Sequence, residues 1–255
     1  MKHINRYITT LVALLLVVSM AIGQTPQNRS SSTIIADVLS QLPAQTQPAY
    51  NKMMTALTST GEEGLLYLIG QLNAPGNKTN ETLDYAISGW THFVSNDDAK
   101  LKEASSADEK ALTQPLHEEN KAMIIRQIEK IGDNSNVPSL AAFINDARLS
   151  GPASQALAQI GSEDAKQVLL SALTKADTEE LKITLANAVV QTKYPEAENV
   201  FINLLSNNPS ENLKKVAYNG LAEVGTKNAL SLLKKDAQSS NWAYGKANAT
   251  AAYIS

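Results

Sequence analysis

Few residues of this 255-residue chain could do chemistry, and their spacing gives them little to do it with. The three histidines are His3, His92 and His117. Each stands without a second histidine or a carboxylate at the short spacings that hold a metal ion. His92 follows Trp90 on a helical pattern and reads as partly packed or at the surface. Carboxylates pair at Glu62-Glu63, Asp97-Asp98, Glu118-Glu119 and Glu179-Glu180. All but Asp97-Asp98 stand where helices should begin, and there the partial positive charge of a helix N-terminus favours anions. Asp97-Asp98 reads as solvated loop. There is no cysteine, no Gly-rich phosphate loop and no nucleophile elbow. Gly61-Glu62-Glu63-Gly64 runs into apolar residues at helical spacing, and Ser150-Gly151-Pro152 opens a helix with Pro in its first turn. The sequence therefore predicts no catalytic, cofactor-binding or metal-binding residue in this chain.

What does recur is a double row of polar residues. Arg126, Gln155, Asn187 and Asn219 form one row, and Lys130, Gln159, Gln191 and Glu223 stand four residues later in each case. A spacing of four places the two rows side by side on a helix. Each pair precedes a turn position by six and two residues, the turns being Gly132, Gly161, Lys193 and Gly225. Successive turns lie 29, 32 and 32 residues apart, a period proper to two-helix repeats. A Gly after an apolar helical run supplies left-handed backbone angles at no steric cost.

The elements that would carry these rows follow from the apolar residues. Four, seven, eight and eleven residues after the turn stand Ala165, Val168, Leu169 and Ala172; Ala197, Val200, Phe201 and Leu204; and Ala229, Leu232, Leu233 and Asp236, the last breaking the pattern. After Gly132 one extra residue shifts the set to Val137, Leu140, Ala141 and Ile144. That is one face of an amphipathic helix. Eight and four residues before each turn are Ile124 and Ile128, Ala153 and Leu157, Leu185 and Val189, Ala217 and Leu221. Five before it, Ala156, Ala188 and Gly220 are small enough to let helices approach closely. Each unit is helix, turn, helix, and only stacking of units buries both faces. The predicted fold is all-α, an α-solenoid. Its second helices, those ending at the turns, usually line the concave face of such a stack, where extended binding surfaces form. The eight polar residues are thus a candidate surface for a protein, a peptide or a glycan. The plainer alternative has them bonding between units or facing water.

Along the chain, Lys2 and Arg6 precede an apolar run from Ile8 to Ile22, and Ala21 and Gly23 are small residues suited to a signal peptidase. Residues 1–23 read as a signal peptide with a mature start at Gln24, which implies export to a periplasmic or extracellular location and no stable membrane span after cleavage. Cleavage would move the formal charge from −3 to −5, and a mildly acidic chain of mixed signs does not bind nucleic acid through bulk charge. Residues 24–32 read as a flexible leader and residues 33–255 as the repeat domain, clearest over 118–255. Thr33 is a candidate N-cap for a helix to Leu42. Gly61 acts as a further turn, with Leu65, Leu68, Ile69 and Leu72 at the same offsets. Residues 95–108 read as loop or frayed helix, followed by a short helix near 109–116 interrupted at Pro115. Residues 242–255 resemble the second helix of another unit, with Ala247, Ala251 and Ile254 apolar and no polar capping repeat after them. The native chain is expected to continue past Ser255.

The pattern Ala153, Ala156, Leu157, Ile160 and Gly161 resembles the A-x-x-A-L-x-x-I-G ending of HEAT-type and bilin-lyase-like HEAT repeats. The succession of IADVLSQLPA, GEEGLLYLIGQL, IIRQIEKIG and FINDARLSGPASQALAQIG is similar to the N-terminal helical region of secreted Bacteroidetes proteins that carry a 3-keto-disaccharide hydrolase domain. The resemblance implies a solenoid of HEAT-like helical hairpin repeats. Three functions follow: from the repeats and the empty inventory of catalytic groups, a non-catalytic scaffold or binding module of the cell envelope; from the resemblance, the helical part of a larger carbohydrate-active protein whose C-terminal domain would be its partner, or a bilin-lyase-like enzyme.

Overall fold

The computed structural model describes residues 29–206 and 208–255. Residues 1–23, expected to be a signal peptide, and residues 24–28 of the expected leader lie outside them. Among the described residues there are fourteen α-helices, no strands and two short 3-10 helices at Asn134–Asn136 and Pro195–Ala197. The helices are α1 (Ser31–Leu39), α2 (Gln47–Thr58), α3 (Gly61–Ile69), α4 (Thr79–Val94), α5 (Asp98–Leu112), α6 (Glu118–Ile131), α7 (Val137–Ala141), α8 (Ser150–Ile160), α9 (Glu163–Lys175), α10 (Glu179–Thr192), α11 (Glu198–Leu204), α12 (Glu211–Val224), α13 (Lys227–Ser239) and α14 (Ala249–Ile254).

Helices alternate between two layers. From α6 onward one layer runs α6, α8, α10, α12, α14, each packed on the next, and α7, α9, α11 and α13 follow the other side. At the N-terminal end α3 packs on α5, α2 on α4, and α5 on α6. The core is continuous from Ile35 to Ala252 and is built of Leu, Ile, Val and Ala. This is the α-solenoid that the repeat spacing predicts.

The repeat positions behave alike. Every residue eight and four before a turn is buried, from Ile124 and Ile128 to Ala217 and Leu221. Ala165, Ala197 and Ala229 are buried four residues after it, as are Leu169, Phe201 and Leu233 eight after it. Val168, Val200 and Leu232 are half-buried against that core. Helix starts follow local chemistry: the Ser162 hydroxyl accepts from Ala165 N, Thr178 from Leu181 N and Ser210 from Leu213 N. Neighbouring units are also tied at their turns. Asn134 Nδ2 donates to Asp164 Oδ2 at 2.8 Å, Tyr194 Oη to Glu163 Oε1 at 2.6 Å, and Thr226 N to Glu198 Oε1 at 2.7 Å.

Several expectations need correction. Gly161 and Lys193 do take left-handed angles, with φ of 62° and 48°. Gly132 and Gly225 do not, having φ of −71° and −70° in extended backbone. There glycine serves room: a Cβ at Gly132 would sit 2.6 Å from Ile128 O, and at Gly225 2.3 Å from Leu221 O. Residues 98–112 form one regular helix, where loop or frayed helix over 95–108 and a short helix near 109–116 were expected. Asp97 caps it by accepting from Lys100 N, and Ala104, Ala107, Ala111 and Leu112 make its buried face. A stripe of alanines buries little area per residue, so a search for large apolar side chains passes over it. That helix ends before Pro115. The first helix begins at Ser31, capped by Ser30 and not Thr33. In α14 the buried face is Ala249, Thr250 and Ala252, while Ile254 is exposed.

Candidate functional site

The eight polar residues are carried by α6, α8, α10 and α12, which stack in that order through their buried faces. Arg126, Asn187, Asn219, Lys130, Gln159, Gln191 and Glu223 are exposed, and Gln155 is half-buried. One residue before the second row, Glu129, Ala158, Val190 and Ala222 are half-buried. Three of these four are small or β-branched apolar residues, so the face is a shallow apolar strip edged by polar side chains.

The structure brings some of the eight together and leaves others apart. Gln191 Nε2 donates to Gln155 Oε1 at 3.0 Å, bridging α10 to α8. Glu223 pairs at 2.9 Å with the ammonium of Lys193, the turn residue of the preceding unit. That bond and the Glu223 charge raise the Lys193 pKa from its ordinary value. Asn187 Nδ2 donates to its own helix at Ile183 O. The first two of these contacts are inter-unit bonding of the kind that the plainer alternative names. Arg126, Lys130, Gln159 and Asn219 have no side-chain hydrogen bond among the described residues, and their exposed groups point a mixed surface at solvent. It is cationic at α6 and neutral at α8.

The residues considered for chemistry take structural roles. His117 caps α6, its Nδ1 accepting from Glu119 N at 3.2 Å. His92 is exposed. Glu62-Glu63, Glu118-Glu119 and Glu179-Glu180 lie in first helical turns, while Asp97-Asp98 caps and opens α5 and so is not loop. Lys110 pairs with Glu62, and Arg148 with Glu119. Among the described residues no three of His, Cys, Asp or Glu gather as metal ligands, and no helix is long and apolar enough to cross a membrane.

Three features escaped the sequence pattern. Asp108 is fully buried on α5 with neither carboxyl oxygen hydrogen-bonded, and burial pushes its pKa well above the carboxylate range. On α6, Gln127 takes the place held by Ala156, Ala188 and Gly220, and is buried with its Oε1 unpaired. The third feature is a polar cavity of about 370 Å³ beside α12, α13 and α14, lined by Glu211, Lys214, Tyr218, Asp236, Ser240 and Asn248 among others. Its signal in the sequence was Asp236, the residue that broke the apolar pattern.

Residues 169–254, from within α9 to the end of α14, match the family model for HEAT repeats. No curated protein matches the chain.

Proposed function

From a stack of HEAT-like repeats we propose a helical-repeat binding module that captures an extended peptide segment of a partner protein along α6, α8, α10 and α12. The observation that carries this reading is the run of exposed, unpartnered Arg126, Lys130, Gln159 and Asn219 over the half-buried strip of Ala158, Val190 and Ala222. A peptide laid across four stacked helices can bury its apolar side chains on the strip and bond its polar groups to the rows. The cations at α6 select an acidic residue at that end. Gln155, Gln191 and Glu223 serve the scaffold more than the ligand, because each already bonds to a neighbouring unit.

The test is display selection of random dodecapeptides against residues 24–255, followed by calorimetric titration of the enriched peptides. Replacing Arg126 and Lys130 by Glu, and Gln159 and Asn219 by Ala, should weaken binding roughly tenfold or more with Tm unchanged. Equal binding by the variant sinks the proposal. We also read the chain as working after export, on the pattern of Lys2, Arg6 and the apolar run to Ile22. N-terminal sequencing of the mature protein should begin at Gln24, and an intact Met1 in the cytoplasm is the contrary result.

A further inference from the structure

The last hairpin departs from the repeat at one residue. Where other units carry Ile144, Ala172 or Leu204 at the eleventh position after the turn, this one carries Asp236. Its Oδ2 accepts from the Tyr218 hydroxyl at 2.9 Å, and Tyr218 is only 7% exposed. Burial first, then the bond to Asp236 and the charges of Asp236 and Glu211, raise the Tyr218 pKa, so the phenol stays neutral and keeps donating. The other oxygen of Asp236 has no partner among the described residues and is not enclosed.

The surroundings favour positive charge. Lys214 Nζ lies 3.2 Å from Glu211 Oε1, so one ammonium already rests against a carboxylate of this cavity. Two carboxylates against one ammonium leave the lining at a formal −1. Ser239 and Ser240 bring in the C-terminal end of α13, whose carbonyls carry partial negative charge. Ala243 and Gly245 of the following loop complete the lining. In the same loop Asn241, Trp242 and Asn248 hold φ of 51°, 59° and 56°, a region that a bulky residue such as Trp seldom enters. Strain of that kind gathers at sites that bind.

We infer that this cavity takes the cationic end of a partner's arginine or lysine side chain, bound by the free oxygen of Asp236 and by Glu211. Lys214 is then a resident competitor for Glu211. The site is separate from the eight residues of the second-helix rows, so its failure leaves that surface untouched.

Fluorescence anisotropy with a labelled, end-blocked tetra-arginine peptide tests this, with tetra-glutamate and cellotetraose in parallel and Tm measured for each variant. Saturable binding of tetra-arginine should weaken roughly tenfold in Asp236→Asn, which keeps an acceptor for Tyr218, and tighten about threefold in Lys214→Met, which frees Glu211. Glu180→Gln, an equal change of net charge elsewhere, should leave it unchanged. Binding equal in Asp236→Asn and Glu180→Gln overturns the inference, as does weaker binding in Lys214→Met. So does a cavity that takes cellotetraose and ignores tetra-arginine. If Asp236→Asn lowers Tm, Lys214→Met alone decides.

Discussion

Gly220 lies directly beneath the ring of Phe201. A Cβ built on Gly220 would stand 2.5 Å from Cε2 and Cζ of that ring, and Phe201 is completely buried. The contact joins α11 to α12 within one unit, at the position where neighbouring units place Ala156 and Ala188.

Gly220→Ala should therefore destabilise the protein, although alanine favours a helix by about 1 kcal/mol. A ring held on all sides cannot retreat cheaply, and overpacking of this kind costs about 1–3 kcal/mol. For a chain of this size each kcal/mol reads as about 2–4 °C in Tm. Gly220→Ala combined with Phe201→Leu should recover part of the loss. An unchanged Tm in the single variant refutes the contact.

Gly161 and Gly132 should respond to alanine for different reasons. At Gly161, with φ of 62° and no atom nearer than 3.5 Å to the added Cβ, only the left-handed backbone opposes the substitution. That costs about 1–2 kcal/mol. Gly161→Asn should be milder than Gly161→Ala, since Asn tolerates this region. At Gly132 the backbone is extended, and the carbonyl of Ile128 stands in the way, so Asn should be no better than Ala. Thermal melts of the four variants separate the two causes.

Asp108→Asn should raise Tm at neutral pH. Burial lifts the folded pKa of Asp108 far above that of the unfolded chain, so the folded form must hold a proton that the unfolded form releases. Stability from this group is therefore fully present below the unfolded pKa of about 3.9 and declines as pH rises toward the folded value. The advantage of Asp108→Asn over the natural chain should grow from near zero at pH 3 to a plateau above that folded value. A constant difference across pH contradicts it.

Glu198 should show the opposite sign. Bonds from Thr226 N, then from the Thr226 hydroxyl and Ala229 N, hold its carboxyl below the ordinary range. Its stabilisation is present above the unfolded pKa and is lost as pH falls through the folded one. Glu198→Gln should lower Tm at pH 7, and the loss should shrink as pH falls below the unfolded value. Exposure limits the effect to less than about 1 kcal/mol. A Tm loss that stays constant as pH falls would assign the role to shape alone.

Much of the fold was legible because a two-helix repeat writes its core twice per period. Ile128, Leu157, Val189 and Leu221 mark one layer, and Leu169, Phe201 and Leu233 the other. The helix at 98–112 was not legible, because its buried face is mostly alanine and one of the helices it packs on, α3, lies distant in the chain. The polar rows could be placed on one face from spacing alone. Which of their members are already engaged depended on side chains of the neighbouring unit, as Gln155 with Gln191 and Glu223 with Lys193 show.

By itself, then, the sequence determined the helices of the repeats, their pairing and their period, since these follow from apolar spacing and caps within a few residues. Only the tertiary structure decided that Asp108 is sealed from water, that Asp236 meets Tyr218 beside an open cavity, and that Gly220 must leave room for Phe201. Those relations depend on how distant surfaces meet, and contact at a few ångströms is set by the whole stack.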